Sequence, residues 1–234
     1  MDIKKILSEM TLEEKASLCS GLDNWHTKAV KRLGLDSILM CDGPSGIRKE
    51  NPEKPGTSFP AICYPTGSTL ASTFNPDIAK ELGVRLGKEA ISLDIHTLLG
   101  PAINIKRTPL GGRNFEYLSE DPFLAGSIAA EYVKGVQENK VGVSVKHFAC
   151  NNQEYMRMST SANVSERALR EIYFPAFEKT VKEAHPWTVM CSYNRINGCY
   201  SSKNKWLLST VLRSEWGFDG IVMTDWGALC DRVE

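Results

Sequence analysis

The sequence has no surplus of either charge: 28 lysines and arginines stand against 28 aspartates and glutamates. A chain so balanced builds no global field to draw it to nucleic acid or acidic lipid, and an uncharged partner is expected instead. It also lacks an apolar run long enough for a signal peptide or a membrane span. Met1-Asp2-Ile3-Lys4-Lys5 leads straight into an amphipathic helix pattern. The four histidines, at 26, 96, 147 and 185, are too scattered for a clustered metal site. The seven cysteines, at 19, 41, 63, 150, 191, 199 and 230, are odd in number and show no Cys-x-x-Cys spacing. That argues against a disulfide framework and a zinc centre alike. No Gly-x-Gly-x-x-Gly or P-loop pattern occurs, so nothing is built to cradle a phosphate. The expectation is a cytoplasmic protein with no metal, no cofactor, no nucleic-acid partner and no membrane partner.

What is present is a globular composition, 42% hydrophobic and 24% charged, with mass enough for a substantial core. Short apolar runs alternate with helical patterns. The runs are Ser37–Cys41, Ala61–Tyr64, Thr97–Leu99, Gly142–Val145, Thr188–Cys191 and Gly220–Thr224. Asn75-Pro76 is a helix start, followed by Ile78, Leu82 and Leu86 at four-residue spacing. Leu124, Ile128 and Val136 mark a second helix, starting near Ser119–Pro122. Leu169, Ile172, Phe177 and Val181 mark a third, and Leu207, Val211 and Leu212 a fourth that ends at Gly217.

Alternation of this kind, with near-continuous apolar strands, predicts a parallel sheet covered on both faces. Polar residues gather just after nearly every strand: Asp42, Asn104, Lys146-His147, Tyr193-Asn194 and Asp225. In a (β/α)8 TIM-like barrel those positions form the face that carries the site, so the α/β barrel is the expected fold. Only about six strands can be counted where closure takes eight. The barrel is therefore expected to be incomplete at the C-terminus, with residues 1–234 forming one partial domain.

Several stretches could carry chemistry, and each also has a structural reading. Gly220-Ile-Val-Met-Thr-Asp-Trp-Gly227 ends a buried strand in a carboxylate beside a Trp. Asp225 is either a helix cap or a nucleophile at the barrel mouth, with Trp226 as an apolar platform for a sugar ring. Val143-Ser-Val-Lys-His-Phe148 sets two donor side chains next to each other. Neighbours on a regular strand face opposite ways, so Lys146 and His147 reach one ligand only if the backbone departs from ordinary geometry. A strained or cis non-proline peptide is predicted there; otherwise Lys146 lies in solvent and His147 in the core. Asp42-Gly-Pro-Ser-Gly-Ile-Arg48 is either a plain turn or a carboxylate placed to accept hydrogen bonds from adjacent sugar hydroxyls. Gly111-Gly-Arg-Asn-Phe-Glu116 either brings Arg113 to a ligand or forms an Arg113–Glu116 ion pair. The same two readings hold for Arg157 and Tyr193.

Taken together the motifs resemble glycoside hydrolase family 3, in its β-glucosidase branch. The likeness runs from Met10-Thr-Leu-Glu-Glu-Lys15 to Asp225-Trp-Gly-Ala228. It includes Asn104-Ile-Lys-Arg-Thr-Pro-Leu-Gly-Gly-Arg-Asn-Phe-Glu-Tyr-Leu-Ser-Glu-Asp-Pro122 and Lys146-His-Phe-Ala-Cys-Asn-Asn-Gln-Glu154. The resemblance implies a retaining, exo-acting β-glycosidase. In it Asp225 would be the nucleophile, and Asp42, Arg113, Lys146 and His147 would grip the hydroxyls of the non-reducing-end sugar. Arg48, Arg157, Tyr193, Trp226 and Met190 would support that pocket. It also implies an acid/base Glu in a following α/β sandwich domain, which residues 1–234 do not contain. Glu116, Glu120 and Glu154 take structural roles. The 234 residues alone are accordingly expected to turn over little or nothing and to need the missing part of their own polypeptide. β-Xylosidase or α-L-arabinofuranosidase activity, or a non-catalytic carbohydrate-binding role, are the alternatives. The substrate implied is a small oligosaccharide or glycoside.

Overall fold

The structure is a computed structural model and describes residues 2–229. Cys230 and the stretch to Glu234, where the barrel is expected to break off, lie outside the described residues. In chain order the strands are β1 (Met40–Asp42), β2 (Thr97–Leu99), β3 (Gly142–Phe148), β4 (Ser161–Ala162), β5 (Thr188–Cys191), β6 (Arg195–Ile196), β7 (Cys199–Tyr200) and β8 (Ile221–Thr224). Five of them form one sheet in the order β1-β2-β3-β5-β8, every neighbouring pair parallel. The order follows the chain and never reverses. That is the winding of a barrel, not of a doubly wound sheet, whose order switches direction part-way. Among the described residues the sheet is an open arc with β1 and β8 at its edges. β4, β6 and β7 make a small separate sheet in the loops.

Six strands were expected in the barrel, and the sheet has five. Ala61–Tyr64 is the run that fails. It lies between Pro60 and Pro65, and its residues 61–63 are exposed. Its amides are satisfied locally: Ile62 N donates to the Glu89 carboxylate at 2.8 Å and Tyr64 N to the Ser45 carbonyl at 2.9 Å. Flanking prolines supply no ladder donors, so the run is extended but unpaired. The run at Ser37–Cys41 also shifts, pairing only over Met40–Asp42.

The helices begin where the capping signals put them. Asn75 caps Pro76–Ser92 and Asp121 caps Pro122–Glu138, each with Pro in the first turn. These two helices meet at glycines: a Cβ on Gly83 would fall 2.4 Å from the Tyr132 carbonyl oxygen, and one on Gly135 would fall 2.2 Å from that of Lys80. The third helix is broken into Glu166–Ala168, a π-wound turn Leu169–Tyr173, and Pro175–Ala184. Pro175 has no N–H to give back to the preceding turn, so the helix restarts there. The fourth, Trp206–Glu215, is π-wound throughout and stops at Gly217, whose φ is +75°.

Beneath the sheet rim, Phe148 packs against Phe177 (ring centroids 5.1 Å), Trp216 (5.5 Å) and Phe174 (5.9 Å). All four rings are buried. This cluster anchors the residue that directly follows Lys146-His147.

Candidate active site

Because the five strands run in parallel, their C-terminal ends share one rim. Asp42 closes β1, Leu99 closes β2, Lys146 and His147 lie in the last turn of the ladder of β3, Met190 sits in β5, and Asp225 follows β8. A cleft of about 300 Å³ opens on this rim. Every candidate from the sequence lines it: Asp42, Arg48, Arg113, Lys146, His147, Arg157, Met190, Tyr193, Asp225 and Trp226. Trp25 and Leu99 line it too and were not anticipated.

The break expected at Lys146-His147 is present. The peptide between them is cis, as are Phe148–Ala149 and Gly100–Pro101, and the pairing of β3 with β5 shifts register between Val145 and Phe148. Both side chains reach the one cleft. The segment before them is held by 101–104: Lys146 N donates to the Pro101 carbonyl (3.0 Å) and Ile103 N to the Lys146 carbonyl (2.8 Å). Buried Asn104 closes both sides of His147, donating to its carbonyl at 2.9 Å and accepting from its N–H at 2.8 Å.

Asp42 is held by two cations. Lys146 Nζ donates to Oδ1 at 2.8 Å and Arg48 Nη2 to Oδ2 at 3.1 Å. Burial pushes the Asp42 carboxyl up, but the Lys146 and Arg48 charges and hydrogen bonds override it and bring the pKa to about 2. Lys146 is itself buried and has a second carboxylate, Glu116 Oε2, at 3.8 Å. Arg113 donates through Nε to the other Glu116 oxygen. The ion pair weighed as an alternative therefore exists, and Arg113 lines the cleft as well. Burial alone would lower the Arg113 pKa, yet Glu116 beside it holds it above the ordinary arginine value. Glu154 is likewise engaged, accepting from Arg157 Nη1 at 2.8 Å and Asn151 Nδ2 at 3.0 Å.

Asp225 is different. Oδ1 accepts from the Trp226 backbone N–H at 2.8 Å, while Oδ2 is buried with no hydrogen-bond partner. The nearest cationic candidate, His147 Nε2, is 3.7 Å from Oδ2. Burial, reinforced by the charges of Arg113, Lys146 and Arg157, drives the His147 pKa well below its ordinary value, so the ring is neutral. Asn151 Nδ2 donates to the Tyr117 hydroxyl at 3.0 Å, which leaves that hydroxyl's proton for His147 Nδ1 at 3.4 Å. This network assigns the ring hydrogen to Nε2, facing Asp225. The nearby cations do not keep the Asp225 pKa from rising. Burial dominates over the Trp226 N–H bond, the nearby Tyr193 hydroxyl and the Arg113 and Lys146 charges, leaving the pKa above that of an ordinary aspartate.

Aromatic side chains wall the remaining side. Tyr193 donates its hydroxyl to the Trp226 carbonyl at 2.8 Å, and the Arg157 guanidinium sits 4.6 Å from its ring centroid. Burial and the Asp225 charge push the Tyr193 phenol up to about 12, so it stays a donor. Trp226 meets Trp25 with centroids 5.7 Å apart and planes at 39°. Its indole N–H donates to the Asn24 carbonyl at 2.7 Å. Trp25 enters through a turn in which Asp23 accepts from the N–H groups of Trp25 (2.7 Å) and His26 (2.8 Å). An Asp two residues before a Trp was the only signal for this residue, and it reports a turn without saying what the ring meets.

Among the described residues no group of three or more His, Cys, Asp or Glu side chains could hold a metal ion, and no helix is long and apolar enough to cross a membrane. What the cleft offers is one carboxylate with a partnerless oxygen, one clamped carboxylate, several donors and an aromatic wall. That set suits a neutral polyhydroxylated ligand with an electrophilic carbon.

Sequence and structure comparisons agree on the class. Residues 6–232 match the model of the glycosyl hydrolase family 3 N-terminal domain, and the chain belongs to that family. It is 54% identical to thermostable beta-glucosidase B of Acetivibrio thermocellus, over all of this chain and 31% of the relative. It is also 54% identical to an exo-alpha-(1->6)-L-arabinopyranosidase of Bifidobacterium longum, over 97% of this chain and 30% of the relative. Among solved structures, the family 3 beta-glucosidase of Bifidobacterium adolescentis superposes with a TM-score of 0.91 at 54% identity, covering 96% of this chain and 32% of that one. The Kluyveromyces marxianus beta-glucosidase in complex with glucose gives 0.94 at 45% identity, covering 97% and 27%. The chain thus spans about a third of the length of the relatives it matches.

Proposed function

We propose that this chain carries the sugar-binding face and the nucleophile of a retaining, exo-acting β-glucosidase. The observation that bears most weight is the contrast within the cleft: a buried Asp225 oxygen with no partner faces the same space as a saturated cluster of Asp42, Lys146, Arg113 and His147. In this reading the cluster binds the ring hydroxyls of a terminal β-D-glucosyl unit, with Arg48, Arg157, Met190 and Tyr193 shaping the pocket and Trp226 packing on the ring. Asp225 Oδ2 attacks the anomeric carbon as the glycosidic bond breaks, giving a covalent glycosyl-enzyme. Water then takes the sugar and Asp225 leaves as carboxylate.

A retaining reaction needs a second carboxyl about 5–5.5 Å from the first, to protonate the departing oxygen and later deprotonate the water. Glu116 and Glu154 are engaged by arginines. We assign the acid/base to a following α/β sandwich domain of the full-length protein, with residues 1–234 as its partial barrel domain. The odd number of cysteines supports a cytoplasmic setting. The relatives named arabinopyranosidases, equal in identity to the first glucosidase, favour an α-L-arabinopyranoside as the second substrate reading. A panel of nitrophenyl glycosides separates these sugars. The mechanism is tested by incubating the full-length protein with a 2-deoxy-2-fluoro-β-glucoside and mapping the adduct by peptide mass spectrometry. The label belongs on Asp225; a label on another residue would falsify the assignment.

A further inference from the structure

The His147 ring turns Nε2 towards Asp225, and its other nitrogen is held by residues that do not line the cleft. Tyr117 and Asn151 are both buried, and neither contributes to the cleft wall. The Tyr117 hydroxyl lies 3.4 Å from His147 Nδ1. Its ring also meets the imidazole edge to face, with centroids 6.2 Å apart and planes at 74°. Asn104 already holds the His147 backbone through its N–H and its carbonyl, so what remains to be set is the ring.

Charge fixes the direction of the hydrogens along this line. Asn151 Nδ2 donates to Glu154 Oε1 at 3.0 Å and to the Tyr117 oxygen at 3.0 Å. Turning the Asn151 amide over would set its carbonyl oxygen against the Glu154 carboxylate, which Arg157 holds in place at 2.8 Å. The Tyr117 oxygen is therefore an acceptor towards Asn151, and its own proton has His147 Nδ1 as acceptor. Burial holds the Tyr117 phenol above its ordinary pKa, so the proton stays on it. The imidazole then carries its hydrogen on Nε2, 3.7 Å from Asp225 Oδ2. That distance is too long for a hydrogen bond, so the N–H is left for a ligand.

We propose that Tyr117, oriented by Asn151, is a positioning residue: its hydroxyl holds His147 in the Nε2–H tautomer and in one ring plane, so that the imidazole presents a donor to a sugar hydroxyl beside Asp225. This rests on the glucosidase reading and adds to it a residue that touches no substrate. The opposite tautomer would turn a nitrogen lone pair towards the Asp225 carboxylate. It would leave the sugar hydroxyl without that donor and make ionisation of Asp225 still harder.

Neutron diffraction from deuterium-exchanged crystals of the full-length wild type reads the tautomer directly. Deuterium is expected on His147 Nε2 and on the Tyr117 hydroxyl, directed at Nδ1. Deuterium on Nδ1 instead overturns the proposal, whatever the protein cleaves and whether or not any variant folds. Kinetics of full-length wild type and Tyr117→Phe on 4-nitrophenyl β-glucoside test the consequence. In the variant kcat/KM should fall by about tenfold, the scale of one hydrogen bond. Its acid limb should move up by about half a pH unit, because a less well-aimed N–H favours the ionised Asp225 less. The other charged or titratable groups facing His147 or Asp225 are Arg113, Lys146, Arg157, Tyr193 and Cys191, and the variant leaves all of them in place. Glu116 and Glu154, which face Tyr117, are unaltered too. A Tyr117 that only filled space behind the ring would cost stability and leave the acid limb where it is, so an unmoved limb overturns the proposal. Wild type that cleaves no glucoside overturns the underlying glucosidase reading, and the deuterium map keeps that failure distinct from a wrong tautomer.

Discussion

Asp42 and Asp225 stand at opposite edges of one five-stranded sheet, each at the C-terminal tip of its strand, and they are treated in opposite ways. Asp42 has a cation on each oxygen and its pKa sits at about 2. Asp225 has one backbone N–H, a neutral imidazole nearby and a bare oxygen, and its pKa is raised. The fold alone does not separate the two; their partners do. In the proposed reaction, the carboxylate clamped by donors is the fixed acceptor for hydroxyls, and the one left short of them keeps its lone pairs for carbon.

The sharpest way to break the contrast is to neutralise each carboxylate in turn. Asp225→Asn should lower kcat on an aryl glucoside by about 10⁴-fold or more, the order seen when a covalent nucleophile is lost. Its melting temperature should hold or rise, because a buried charge short of partners is removed. Loss of stability alongside the activity would mean that Asp225 is structural. Asp42→Asn should weaken kcat/KM by a smaller factor, about 10²-fold. It should also destabilise the protein by about 1–3 kcal/mol, since Lys146 loses its closest acceptor; equilibrium denaturation checks the second figure.

Titration gives a subtler test. As the proposed nucleophile, Asp225 must be ionised to attack, so with its pKa raised the acid limb of kcat/KM should lie above the ordinary carboxylate value of about 4. Lys146→Met, which removes one of the charges that oppose burial, should move that limb to still higher pH. Asp42 acts with the opposite sign. Its lowered pKa gives stability that is complete above about pH 4 and is lost as the pH falls towards about 2. The acid-side loss of stability should be shallower in Asp42→Asn than in wild type, the smallest effect of the set.

Much of this arrangement was legible in the sequence because it is local. Thr97–Leu99 and Thr188–Cys191 are strands over the very residues expected, and Asn75-Pro76 and Asp121-Pro122 start helices. The side-by-side Lys146 and His147 required the irregular backbone that is found between them. The failures are of two kinds. Ala61–Tyr64 has strand composition, but pairing depends on a neighbouring strand that composition does not report. Trp25 and the raised pKa of Asp225 depend on contacts between distant parts of the chain, and on how deeply a group is buried relative to its charges. Arg113 is a third case: its two readings, ion pair and cleft lining, proved compatible.

The hydrogen bond from Trp226 to the Asn24 carbonyl joins residues 202 positions apart. Contacts of such separation close late in folding, after the entropy of the long intervening loop has been lost. The Trp226 ring beside Asp225 therefore gains its final orientation only when the turn at Asp23–Trp25 docks beside the end of β8.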